Sequence, residues 1–284
     1  MPPRAKRLQP RAAGTATAVF GIVLPVIAVA ATTPPPPLAA HRAAYALSLA
    51  DADEAIRSPS TPVAASGLIA YEFRGSACEG YTSSFRQLTR MERSEGADFS
   101  TGVSATSFED GAGKSMRFRF EPLGEPASQT VVGSAVRGAN DDVRVELTKP
   151  SSKSIDFGRE VLFPTQHIER LIEAAREGGN IVQARVYDGS ETGAKIFSTM
   201  TVIGKAASRP AVDDDIATLK GVRRWPVVIS YFDETSKQST PDYTLSFDLY
   251  ENGVSGSLKL DYGQFALNAR LKTLEILPAA ACEK

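Results

Sequence analysis

Residues 242–276 fix their own pairing. Asn252-Gly253 is the strongest short hairpin signal, a two-residue turn with both residues at positive φ. With that turn Tyr243 faces Tyr262, Leu245 faces Leu260 and Phe247 faces Leu258. Thr244/Asp261, Ser246/Lys259 and Asp248/Ser257 share the other face. A second turn at Gly263-Gln264 sets Tyr262 against Phe265, Leu260 against Leu267 and Leu258 against Ala269. Every apolar side chain falls on the same face in both hairpins, and a one-residue slip would reverse all of them. The segment therefore reads as a three-stranded meander with one buried and one wet face. Its phase changes at Leu274 and Ile276, which places a bulge near Thr273.

The same alternation recurs upstream. A turn at Asp110–Gly113 sets Ala105 opposite Phe118 and Val103 opposite Phe120, with Arg117 and Arg119 outward. A turn at Gly189–Gly193 sets Val186 opposite Ile196 and Val182 opposite Met200. Further alternation at 41–49, 66–75, 80–93, 128–138, 141–149 and 222–232 brings the count to about 13 strands. One stretch has helical spacing: Ile168, Leu171, Ile172 and Ala175, with Thr165 to cap it and Gly178-Gly179 to end it. Antiparallel meanders with one short helix predict an all-β fold rather than a βαβ enzyme. Something must cover the continuous apolar face: the helix over 165–177, a second sheet, or a ligand. Phe118, Phe120, Tyr243, Phe247, Tyr262 and Phe265 line that face, either as packed core or as a groove for a lipid or acyl chain.

The N-terminus reads as an export signal. Arg4, Lys6, Arg7 and Arg11 precede an uncharged, mostly apolar stretch from Ala12 to Ala31, and Ala28-Val29-Ala30 offers a cleavage site. The alternative is an uncleaved anchor, which Pro25 and the Gly/Ala/Thr-rich composition weaken. Removing residues 1–30 takes four positive charges from a chain of net charge −1 and leaves −5. Pro34–Pro37 then form an extended spacer within 31–40, and a single domain follows over 41–284. The loops at 50–62 and 205–221 are too short to divide it. No second long apolar run exists, so the expected mature chain, cleaved near Ala30, has no membrane span. In an exported chain Cys78 and Cys282 pair most simply with each other, the alternative being two unpaired thiols. Their bridge would close a loop of about 205 residues, for which chain entropy gives at most about 5 kcal/mol.

Composition excludes much chemistry. With 32 Lys+Arg against 33 Asp+Glu, no basic excess points to nucleic acid. Two His and two Cys are too few for zinc ribbons, iron–sulfur clusters or His-rich metal centres, and no cofactor is expected. Gly111-Ala112-Gly113-Lys114-Ser115 imitates the end of a phosphate loop, but Phe108 stands where the first glycine belongs and both flanks read as strands. Asp213-Asp214-Asp215 reads as a solvated acidic loop, and His41 as an edge or surface residue. His167, in the first turn of the helix, is the one candidate for catalysis. Packing near the helix head is its simpler role, and no credible base partner is found for the Ser and Thr residues, so a non-enzyme is expected.

Several stretches in this order carry a resemblance. They include His41–Leu47, Gly67–Phe73, Cys78–Tyr81, Leu162–His167, Tyr187–Ser190, Tyr250–Val254, Leu260–Gly263 with Phe265, and Cys282. The chain over about 41–282 resembles the EipB family of cell-envelope integrity proteins, a periplasmic family of Gram-negative bacteria. The resemblance implies a curved antiparallel β-spiral, an open half-barrel-like sheet of about 14 strands with one short α-helix. It implies a disulfide matching Cys78 and Cys282, a role in envelope maintenance, and no catalytic residues. It also suggests a periplasmic protein partner or an amphiphile on the concave face, or a lipid or lipoprotein carrier like the half-barrel carriers.

Overall fold

The computed structural model describes residues 38–50, 61–124, 129–207, 213 and 216–278. The expected export segment and Cys282 lie outside them. Strands β1 (His41–Leu49), β2 (Pro62–Ser76), β3 (Gly80–Arg93), β4 (Phe99–Glu109) and β5 (Ser115–Gly124) lead into β6 (Val131–Arg137), β7 (Val143–Lys149) and β8 (Lys153–Asp156). β9 (Val161–Leu162), helix α1 (Pro164–Arg176) and β10 (Ile181–Val186) follow. β11 (Phe197–Ile203), β12 (Arg224–Asp233), β13 (Tyr243–Tyr250), β14 (Ser255–Asp261) and β15 (Ala266–Ile276) complete the described chain. Among these residues no helix is long and apolar enough to cross a membrane.

All fifteen strands form one sheet, in the order β8-β7-β6-β5-β4-β3-β2-β1-β15-β14-β13-β12-β11-β10-β9. The resemblance implies about 14 strands and alternation shows about 13; the structure has 15, the two that alternation missed being β8 and β9, which at four and two residues are too short to show it. β1 lies mid-sheet between β2 and β15, and the meander runs outward to β8 at one edge. The chain then starts again at the opposite edge with β9. Residues 157–160 alone make that connection. Laid flat, the sheet would hold its edges about 67 Å apart, yet the chain from Asp156 to Val161 reaches at most about 18 Å. The sheet therefore curls until its edges come close. At the seam, Val143 N–H to Gly158 O (2.7 Å) and Phe157 N–H to Val143 O (2.9 Å) carry the β7–β8 pairing on into the connection. Arg185 reaches over it from β10, donating to the carbonyls of Phe157 (3.0 Å) and Arg159 (2.8 Å).

β9 and β10 are parallel, so a crossover must join them, and α1 is that crossover. Leu171, Ile172 and Ala175 of α1 pack on Val182, Trp225, Val227, Ile229, Phe247 and Leu249. The helix begins one residue earlier than predicted and ends in a Schellman motif: Gly179 N–H bonds Ala174 O and Gly178 N–H bonds Ala175 O, with Gly178 at φ 79°. A second filling comes from Ile216, Leu219 and Val222, which pack against Tyr45, Leu47, Ile69 and Leu267. A third comes from Phe163, Tyr187 and Ile196, against Met116, Phe118, Val143 and Val145. Leu38–Ala40, at the end of the expected spacer, are already packed: Ala40 is buried and Ala39 N–H bonds Asn252 O at 2.8 Å.

The C-terminal meander keeps its predicted register, with Leu245 opposite Leu260, Phe247 opposite Leu258, and Leu258 opposite Ala269. The predicted bulge is present where Ala44 faces Thr273 but Tyr45 faces Leu271, leaving Lys272 over. The Asn252-Gly253 turn differs. Only Gly253 takes positive φ (83°), its N–H bonds Tyr250 O, and a register shift sets Leu249 against Ser255. This is the longer turn with a bulged glycine. β4 and β5 pair two residues off expectation, Ala105 with Phe120, because the turn closes at Ser115. An even shift leaves Arg117 and Arg119 outward. β10 and β11 pair one residue off, Val182 with Thr201, so Met200 turns outward (43% exposed) and Thr199 and Thr201 turn in.

Asp213 is not solvated as expected. It is 1% exposed, and its carboxylate accepts Ser257 N–H (2.7 Å) and Ser257 Oγ–H (2.6 Å). This ties the loop that carries Leu219 to β14. Asp213→Ala is expected to lose about 2 kcal/mol of stability in urea unfolding by stranding the Ser257 amide. Faster hydrogen exchange at Ser257 should accompany it, and unchanged exchange there would show that the tie is unimportant.

Candidate functional site

The head of α1 lacks a cap of its own. Phe163 at the N-cap offers no side-chain oxygen, and Pro164 follows it. Glu109, at the end of β4, supplies the missing acceptor from 56 residues away: its carboxylate takes Thr165 N–H (3.0 and 3.2 Å) and Thr165 Oγ1–H (2.9 Å). Thr165, the predicted cap, is thus the donor. Beside it Gln166 Oε1 accepts Phe163 N–H (3.2 Å) and Arg137 Nη2–H (3.0 Å). Arg137 also donates to the carbonyls of Gly113 (3.0 Å) and Val161 (2.7 Å). The phosphate-loop lookalike is the β4–β5 turn that receives this head. A Cβ on Gly113 would lie 2.1 Å from Gln166 Nε2.

Glu109 is 3% exposed. Burial pushes its carboxyl up to about 7, helped by Glu169 and Asp110 and opposed by the two Thr165 hydrogen bonds. Burial also raises Glu169, which accepts Tyr81 O–H at 3.4 Å. A cavity of ≈ 80 Å³ opens beside Glu109, walled by Leu38, His41, Tyr71, Phe73 and Ile168. His41, read from sequence as an edge residue, is 3% exposed. Its Nδ1 lies 2.7 Å from Ala39 O and must carry the hydrogen, which leaves Nε2 an acceptor. Burial lowers its basicity. Burial raises the Tyr71 phenol, and Glu109 raises it further. Ser83 also borders the cavity, but its hydroxyl pairs with Ser107 at 2.8 Å, so no Ser–His hydrogen bond forms.

The six aromatic residues expected on one face are divided. Phe118 and Phe120 join the core around Tyr187, and Phe247 packs beside α1. Tyr243, Tyr262 and Phe265 come together with Tyr231 and Phe197 in a continuous row. Tyr231 and Tyr243 stack at 4.4 Å, Phe197 meets both edge-on, and Tyr262 lies 6.4 Å from Tyr243 and 5.2 Å from Phe265. His167 is buried, held down to about 4 by desolvation, and touches Thr199 Oγ1 at 3.5 Å. Cys78 is exposed in the β2–β3 turn. Glu109 escaped the sequence reading although a signal existed: Val103, Ala105, Ser107 and Glu109 alternate onto one face, which puts an acid inside.

Comparison with known proteins fits this architecture. The EipB-like family model matches residues 32–278. The chain belongs to the EipB-like family. It is 36% identical over 244 residues to the cell envelope integrity protein EipB of Brucella abortus (strain 2308), covering 84% of each. It is also similar to a crystal structure described as a beta-barrel-like protein of a domain of unknown function, DUF1849, from Brucella abortus. That match has TM-score 0.78 and 34% identity, and covers 86% of this chain and all of the other.

The buried cap gives this EipB-like chain a pH dependence of known sign. A carboxyl raised from 4.5 to about 7 on folding favours the protonated folded state, so stability falls as pH rises through that window. The full effect is about 3 kcal/mol. Glu109→Gln should not show this loss. Urea unfolding between about pH 4.5 and 8 should move the variant's stability by about 3 kcal/mol relative to wild type, in its favour at the alkaline end. A difference independent of pH would refute the assignment.

Proposed function

We propose that this chain is exported to the periplasm and supports cell-envelope integrity as a non-catalytic binding protein. Its inner aromatic row would take an amphiphile or an extended segment of a partner protein. The envelope role rests on the likeness to EipB of Brucella abortus. The binding role rests on one observation: α1 and the 216–222 loop cover the row Tyr231–Tyr243–Tyr262–Phe265 only in part, Tyr231 packing at the α1 cluster and Phe265 at that of the loop, while Tyr262 remains 38% exposed. Leu245 and Leu260 beside it are likewise only half-buried. Aromatic surface left open inside a curled sheet suits an acyl chain, which needs apolar contact and no directional bonds. The carrier reading adds release to the same contact. Lipid extracted from natively purified protein and identified by mass spectrometry tests both. Tyr243→Ala should cut the recovered lipid several-fold. Empty protein in repeated preparations would remove the amphiphile and leave the protein partner.

The expected Cys78–Cys282 bridge fits the topology. Ile276 faces His41, and His41 faces Phe73 near the end of β2. The chain therefore leaves β15 two strands from the turn that holds Cys78, and the five residue steps from Leu277 to Cys282 reach up to about 17 Å. Such a bond would clamp the C-terminus to the sheet. Cys78→Ser is expected to lower Tm under oxidising conditions by about 5–10 °C and to change nothing under reduction. An equal Tm in both states would discard the clamp. The intact mass of the exported protein tests cleavage after Ala30.

A further inference from the structure

The cavity at the head of α1 is separate from the aromatic row, and it has no cationic side chain in its lining. Its most buried polar groups offer acceptors. The Glu109 oxygens each take hydrogen bonds from Thr165 and retain lone pairs. Nε2 of His41 is an acceptor turned away from Ala39, in a side chain that is 3% exposed. Neither that nitrogen nor the Tyr71 hydroxyl has a partner among the described residues. No Lys or Arg stands among the described residues that line the cavity, while a second carboxylate, Glu169, stands close to Glu109. The remaining walls are mostly apolar, with Leu38, Phe73, Pro164 and Ile168 beside the uncharged polar Ser83, Thr165 and Asn252.

A buried carboxylate without a cation is costly, and three convergent acceptors call for a ligand with several donors. A primary ammonium carries three N–H donors and one positive charge on a narrow end. A hydroxyl offers one donor and no charge, and a quaternary ammonium offers none. We propose that this cavity binds a primary alkylammonium group, its N–H donors meeting Glu109, Nε2 of His41 and the Tyr71 oxygen while its stem lies on Phe73 and Ile168. A free alkylamine and the ethanolamine head of a lipid present the same group.

The test is a titration of the full exported chain, followed by amide NMR and calorimetry, with n-butylammonium, n-butanol and tetramethylammonium chloride. Butylammonium should saturate, shifting amides around Glu109 and Thr165, and the other two should bind at least about ten-fold more weakly. Tyr71→Phe, which keeps the ring, should weaken butylammonium about three- to ten-fold with an unchanged dichroism spectrum. Affinity should rise between about pH 6 and 8 as Glu109 ionises; the titratable groups facing it are Glu169, Asp110, Tyr71, Tyr81 and His41. Vesicles containing phosphatidylethanolamine that displace butylammonium, where phosphatidylcholine vesicles do not, would support the site and place the group on a lipid. Failure of both to displace a saturating butylammonium would support it as a site for free amines. Butanol binding as tightly as butylammonium, wild-type affinity in Tyr71→Phe, or no saturation by about 50 mM would overturn the proposal.

Discussion

Four residues between the two edges of a fifteen-stranded sheet decide the rest of this molecule. A sheet so joined has to curl, and a curled sheet has an inside that must be filled. Among the described residues the filling is not supplied by a second sheet. It comes from segments that leave the sheet and return: the crossover helix, the 216–222 loop, and the stretch around Tyr187 and Ile196. The crossover is itself a result of the seam. Chain entering the far edge at β9 runs parallel to β10, and parallel neighbours cannot be joined by a hairpin. The helix is therefore where it is because of topology, and its apolar stripe follows from that position.

Placing the helix inside creates an electrostatic problem at its head. The first amides need acceptors, and Phe163-Pro164 provides none from its own turn. Glu109 answers from β4, and in doing so joins two segments that the sheet alone would leave independent. Two effects then oppose each other on that carboxyl. The helix dipole and the Thr165 bonds favour the charged form. Removal from water and the neighbouring Glu169 and Asp110 favour the neutral form, and these win, since the group titrates near 7.

What could be read from the residues follows the same logic. Alternation was decisive where one face is apolar and the other polar, as in β13–β15, because only one register keeps Tyr243, Leu245 and Phe247 together. It failed in β10–β11. There Ile181, Val202 and Val228 form an exposed apolar row on the outer face, so both parities offered apolar residues and the pairing slipped by one. In β4–β5 parity was right and turn length wrong, since Asp110 holds the turn open to Ser115 through its side chain. The cap was harder still. Position 109 could be seen to face inward, but its partner is in a different supersecondary unit, and nothing local to Thr165 names it. Asp213 posed the same difficulty: three consecutive acids read as solvent-facing, and burial of one depends on Ser257 across the sheet.

The interior also makes opposed demands on protons. His41 and His167 are buried neutral, the second held down to about 4. Their folded-state basicity lies below the usual 6.5, so they contribute stability above that pH and lose it as pH falls. Glu109 behaves in the opposite sense, supporting the fold while protonated and ceasing to do so as pH climbs towards about 7. The windows overlap between the ordinary histidine range and neutrality, where the imidazoles are already neutral and the carboxyl still largely holds its proton. Since Glu109 and His41 border the same cavity, a cationic occupant would act on both groups. It would stabilise the ionised carboxylate and hold the imidazole neutral as an acceptor, extending the stable window towards alkaline pH.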